Sequence, residues 1–318
     1  MAFQVSPGVL VQEKDLTRII PAVSTSIGAF AGVFTKGPLD EVVSISSEQE
    51  LVSTFGKPNN SNFEDFFSAS NFLQYSNALR VVRVQNSSVS NATESGSAFV
   101  IKNTTDYTNN YATGQASVGL WAARTAGVHG NSLQISTCPS ATAYEEVNKT
   151  TVADAAMAVG DTVVTVTSSS GITAGDIVNF GDNFEYRVIS VATNDLNIVR
   201  KEEPAYYGTS ESSGLHEAPT NGAQVRRRWK YYDLFNKAPG TSPFAQAKSG
   251  VNDELHIAVI DEDGEITGTK GDVLETFEAV SKASDAKDAQ GNVNYYPDVI
   301  YKSSNYIYWM DHLSLIHI

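Results

Sequence analysis

Ser26-Ile27-Gly28-Ala29-Phe30-Ala31-Gly32-Val33-Phe34 is apolar on both alternating faces, and its two glycines leave room for a neighbouring element to approach the backbone. It reads as a central strand buried on both sides. Downstream, Ser47-Glu48-Gln49-Glu50 has the form of a capping box, with Leu51, Val52 and Phe55 behind it at helical spacing and Gly56 placed to end the helix. Asn62 is placed to cap a second helix that turns Phe63, Phe66, Phe67 and Leu73 to a core, and Leu79-Arg80-Val81-Val82-Arg83-Val84 returns as a strand. Strand, helix, helix, strand over this length predicts a parallel crossover in an α/β layer.

Upstream, Val9-Leu10-Val11-Gln12-Glu13 follows Pro7-Gly8 and precedes a mixed, charged stretch, too short to build a core. Such a segment either frays or adds to a sheet elsewhere, in this chain or in a neighbouring subunit. Downstream, residues 86–113 turn to Asn, Ser, Thr and Gly, marking a boundary. Four short alternating runs between Val163 and Val199 read as a small β module. Leu255 to Ile260, then the Asp261-Glu262-Asp263-Gly264 turn and Glu265-Ile266-Thr267, reads as a hairpin. Asp272 and Glu275 are set to cap a helix presenting Val273, Leu274, Phe277 and Val280, followed by a polar loop from Ser284 to Asn294.

The expected chain is therefore mixed α/β (α+β) and multidomain. Residues 1–22 form an extended N-terminal arm and 23–86 an α/β core domain. Residues 87–150 begin a β-rich outer domain, 151–202 are an inserted small β module, and 203–312 complete an α/β outer domain.

With 318 residues the chain has material for two or three domains. A net charge of −14 disfavours broad contact with nucleic acid or anionic lipid. No apolar run reaches the roughly 18 residues of a membrane span, and the opening eight residues have no secretory pattern. The single cysteine, Cys138, excludes an internal disulfide and fits a reducing compartment. The N-x-Ser/Thr triplets at Asn86, Asn91, Asn103 and Asn148 mark polar loops.

Catalytic, cofactor and metal chemistry find no pattern. Gly56-Lys57-Pro58 lacks the upstream glycine of a phosphate loop, and the acidic turn at Asp261 has its glycine two positions early for an EF-hand. His129, His216 and His256 lie far apart without zinc-ligand spacing, and Cys138 with His129 is weighed against a buried structural thiol and set aside. The basic, aromatic-laced run Arg226-Arg227-Arg228-Trp229-Lys230-Tyr231-Tyr232 is expected to pair with carboxylates of a neighbouring subunit.

Ser6 to Glu13, Ile27 to Pro38 ending Lys36-Gly37-Pro38, Thr54-Phe55-Gly56-Lys57-Pro58, Asn71 to Tyr75 and Leu79 to Arg83 together resemble contractile tail sheath proteins of T-even-like and marine cyanobacterial phages. Gly127 to Ile135 is similar to the family's Gly-Asn-x-Leu strand motif, and Asp253 to Gly264, Val280 to Lys287 and Asn294 to Trp309 are also sheath-like. The resemblance implies a structural subunit, not an enzyme and without cofactor, that forms stacked hexameric rings around a tail tube and contracts to drive the tube through the host envelope. It implies Val9, Leu10, Val11, Gln12 and Glu13 as a subunit-interaction arm. The implied partners are other copies, the tube, baseplate and tail terminator proteins, with no direct nucleic acid or membrane insertion. The implied location is the virion tail, assembled in the host cytoplasm.

Family members continue into a C-terminal assembly domain with a second arm, so the chain reads as an N-terminal part that would not form a contractile sheath alone. Leu313 to Ile318 is similar to a translated transposase sequencing adapter and is set apart from the fold. The alternatives are the sheath of a tailocin-type injection machine and, from another class, a β-rich carbohydrate-binding module using Trp229 to Phe235.

Overall fold

A computed structural model describes residues 27–85, 88–201 and 214–313. The expected arm, Val9 to Glu13 included, lies outside the described residues, as do residues 314–318. The chain divides into two compact units between Gln85 and Asn86.

In the first unit, β1 (Ile27–Gly32), β2 (Val42–Ile45), α1 (Glu48–Phe55), α2 (Phe63–Leu73) and β3 (Ala78–Arg83) follow in order. β1 and β3 are parallel, in register from Ile27 opposite Ala78 to Gly32 opposite Arg83, and β2 pairs antiparallel with the far side of β3. The order is β1-β3-β2, so β1 is an edge strand with alternate residues exposed, not the central, doubly buried strand its composition predicts. Four-residue β2 takes the far flank, and β3 becomes central. Phe34, Ile45, Leu51, Phe55, Phe66, Ala69, Leu79 and Val81 form the buried core. Ser47 Oγ caps α1 by accepting from Glu50 N at 3.2 Å. Asn62 does not cap α2; its Oδ1 accepts from Asn59 N at 2.7 Å instead. Only Phe66 of that helix's three expected core aromatics is buried, because Phe63 and Phe67 lie half-exposed on the opposite flank.

The second unit starts with β4 (Asn91–Thr93), α3 (Thr104–Asn110), β5 (Trp121–Ala126), β6 (Leu133–Cys138) and the single turn α4 (Ala141–Tyr144). Next come β7 (Glu145–Thr151), β8 (Val163–Thr165), β9 (Ile177–Asn179), β10 (Tyr186–Ala192), β11 (Asp195–Arg200) and β12 (Gln224–Arg228). It ends with α5 (Pro243–Ala247), β13 (Glu254–Asp261), β14 (Asp272–Ser281), α6 (Tyr296–Ser303) and β15 (Ile307–Trp309). Strands β7-β12-β9-β10-β11-β8 form one antiparallel sheet. A bridge between Val152 and Val166, with Ala153 N donating to Thr165 O at 2.9 Å and Thr167 N to Thr151 O at 2.8 Å, joins its two ends. The sheet is thus a closed six-stranded barrel, filled by Val164, Val178, Tyr186, Val188, Leu196, Ile198 and Val225. It reaches beyond the 151–202 module expected from sequence, because β7 and β12, rich in Thr, Lys and Arg, complete the ring.

β13 is buried along all eight residues between β14 and β6. Residues 272–281 form strand β14, where sequence predicted a helix. Two register shifts against β13 and a positive φ of 52° at Ala279 bring Phe277 and Val280 onto one face opposite Ile257 and Leu255. Bulges thereby give a strand the three-residue spacing of a helix. The hairpin's return strand is β14 and not Glu265 to Thr267, because Asp261 accepts from the backbone N–H groups of Gly264, Ile266 and Thr267 and winds them into a loop.

Candidate assembly surface

Three stretches remote in sequence meet at one corner of the first unit. Arg83, at the end of β3, is 2% exposed, and its guanidinium is spent on backbone carbonyls. Nε donates to Phe34 O at 3.0 Å, Nη1 to Gly37 O at 2.8 Å and Nη2 to Thr35 O at 3.3 Å. Burial lowers its pKa to about 10. The same turn is tied to the end of α1, where Lys36 N and Thr35 Oγ1 both donate to Phe55 O. Gly37 sits at φ 103°, and a Cβ there would stand 2.7 Å from the Phe55 ring. Lys36-Gly37-Pro38, Thr54 to Gly56 and Leu79 to Arg83 therefore form one joint that fixes the sheet to the helices.

That joint leaves one sheet face exposed. Phe30, Val43, Ile45, Leu79 and Val81 belong to the helix-covered core, and α2 lies so close to β1 that a Cβ on Gly28 would meet Phe72 at 2.5 Å. The alternate residues Ile27, Ala29, Ala31, Val42 and Arg80 are exposed, Ile27 at 69% and Val42 at 58%. Parallel pairs are ordinarily covered on both faces, so an exposed apolar face beside a strand edge unpaired among the described residues is the unit's candidate assembly surface. Phe63 and Phe67, one helical turn apart, add half-exposed rings on α2.

Elsewhere the structure absorbs the sequence candidates. Arg227 pairs with Asp176 at 3.0 Å, Arg228 with Glu145 at 2.9 Å and with Glu185, and Arg226 approaches Glu145 at 3.7 Å. The expectation of carboxylates from a neighbour is corrected: the chain supplies its own, on strands the barrel brings alongside. Trp229 is 6% exposed and stacks on Phe235, which stacks in turn on His256, so these rings present no open platform for a sugar. His256 Nδ1 accepts from Ala279 N, which leaves Nε2–H to donate to Lys237 O. Cys138 lies in the same apolar cluster, and burial pushes its thiol up to about 12, away from thiolate chemistry. His216 stacks on Phe184 at 4.0 Å.

Residues 25–84 match the family model described as "Tail sheath protein Gp18 domain III N-terminal region". Over 319 aligned residues the chain is 29% identical to a tail sheath protein of Salmonella phage ViI, covering 96% of this chain and 49% of that protein. The chain is thus similar in sequence to phage tail sheath proteins. It spans about half the length of that relative. A tail sheath protein of Enterobacteria phage T4 is 42% identical over 78 residues, 24% of this chain and 12% of its own. The sheath tail protein Lin1278 of Listeria innocua superimposes over 63% of this chain and 34% of its own at 14% identity and a TM-score of 0.22, too low to bear on the fold. The described part of the first unit coincides with the matched region, and the joint around Arg83 lies inside it.

Proposed function

We propose that the chain is a structural subunit of a contractile phage tail sheath, polymerising with its own copies as stacked hexameric rings around a tail tube and contracting to drive that tube through the host envelope. The observation that supports this reading is the coincidence of the tail sheath match at 25–84 with the unit that keeps an exposed apolar face. Head-to-tail contacts between rings do not close, and they generate a helical sheath. Contraction is a repacking of rigid bodies, for which a buried joint such as Arg83 with its three carbonyls keeps the unit intact. The arm Val9 to Glu13 is the proposed strand donor, and the tube, baseplate and terminator proteins are the proposed further partners, met during assembly in the host cytoplasm. No catalytic step enters this role.

Virions of the phage carrying this gene, probed by electron microscopy with antibodies raised against residues 145–228, are expected to be labelled along the tail at regular axial intervals. Labelling confined to the capsid or the fibres overturns the reading.

A further inference from the structure

We infer that a charged clamp, and not apolar packing, fixes the orientation of the barrel on the rest of the second unit. The barrel hangs on two adjacent chain crossings, because Glu145, where β7 enters, and Arg228, where β12 leaves, are direct partners in the antiparallel ladder. Among the described residues, its buried cluster runs from Val152 to Val225 and includes none from outside the barrel. The neighbouring cluster stops at Tyr144, resumes at Trp229 and includes no described residue from within. Apolar burial thus stabilises each side separately, and mobile orientation is the default for bodies joined without a large hydrophobic interface.

What spans the junction is polar. Glu185, just before β10, and Lys201, just after β11, both reach Tyr232 beyond the barrel. Tyr232 Oη donates to Glu185 Oε2 at 2.6 Å, and Lys201 Nζ donates to Tyr232 Oη at 2.6 Å and to Glu185 Oε2 at 3.1 Å. Lys201 Nζ also lies 4.4 Å from the Tyr232 ring centroid and 3.6 Å from the Asp233 carboxylate. Arg228 closes the set through Glu185 and Glu145, its guanidinium 4.9 Å from the same ring centroid. Arg227 Nη1 adds one bond to Ala143 O at 2.8 Å.

The side chains of Lys201 and Glu185 are 22% and 19% exposed, so solvent screens them less than a surface pair. Burial alone would raise the Glu185 carboxyl; hydrogen bonds from Tyr232 and Lys201 outweigh it and hold the group below its ordinary range. Tyr232 is therefore the keystone, a single phenol outside the barrel that both of the barrel's clamp residues grip. None of this depends on what the assembled protein does.

The test is a distance measurement by pulsed electron paramagnetic resonance on the whole chain. Spin labels go on Val159→Cys in the barrel and Val251→Cys outside it, both exposed, while buried Cys138 stays unlabelled. The parent clamp is expected to give a narrow distance distribution, and Tyr232→Phe and Glu185→Gln to broaden it by about two-fold or more while amide dispersion of the barrel is unchanged. Equal widths in parent and both variants overturn the inference, as does a parent already as broad as the variants. If Glu185→Gln disturbs the barrel itself, Tyr232→Phe, which removes one hydroxyl from outside it, decides alone.

Discussion

Replacing Arg83 with methionine keeps an apolar stem of similar length and deletes the cation at the centre of the first unit's joint. Phe34 O retains a second donor, Gln85 Nε2 at 2.9 Å, so the loss falls on Thr35 O and Gly37 O. These two carbonyls are part-buried, so each left without a donor falls in the lower part of the about 1–3 kcal/mol of a buried group, and relief from a desolvated cation returns part of it, for a net loss of about 2 kcal/mol. Hydrogen exchange followed by mass spectrometry reads the two units separately. Peptides covering β1, α1 and β3 are expected to exchange about 30-fold faster in Arg83→Met, while β13 and the barrel keep the parent rate. Arg83→Lys restores the charge as a point donor that cannot serve three carbonyls and is expected to recover only part of the protection. An acceleration under about five-fold at β1 and β3, or an equal acceleration at β13, would refute the reasoning, because 1 kcal/mol already gives about that factor.

Asp253 offers a pH test. Burial raises its carboxyl, but hydrogen bonds from Ser281 and Ser242 outweigh that and leave it below its ordinary value. A carboxyl depressed in the folded state contributes stability above its unfolded pKa of about 3.9 and loses it as pH falls through the folded value. Asp253→Asn is therefore expected to be less stable at neutral pH and to show a flatter stability profile below about pH 4, with parallel profiles in acid-dependent urea unfolding counting against the account. Gly130→Ala should cost about 1–3 kcal/mol in urea unfolding of the second unit, since the new Cβ would stand 2.5 Å from Ala123 Cβ and 3.1 Å from Ala92 Cβ; an unchanged midpoint would show that these strands can part.

Much of the first unit was legible because its signals are local. Ser47 announces a cap that forms, and Gly28 lies where α2 closes on β1. The rank of the strands was not legible: Ile27 to Phe34 is apolar on both sides, yet an apolar outer face is equally what an assembly surface needs, and nothing in one sequence separates the two. The barrel strands with clean alternation, from Val163 to Val199, could be read, whereas β7 and β12 pair through backbone bonds that their polar side chains do not advertise. At 272–281 two bulges counterfeit helical spacing. The joint around Arg83 has no signature in the sequence for a different reason: its partners are carbonyls, which every residue carries. The arginines from 226 to 228 were visible as a charge run, but the carboxylates that neutralise them come from positions 43 to 83 residues away.

The closure of the barrel has a consequence for how this chain can change over time. A ring of backbone bonds offers a passing strand nothing to pair with, so substitutions on its outward side chains carry little risk of making particles stick to one another. Beside β1 the same substitutions would sit next to backbone groups that no other described residue pairs. Variation is accordingly cheapest on the outward face of the barrel and most dangerous beside β1, so the barrel can change its exposed side chains without disturbing the rest of the protein.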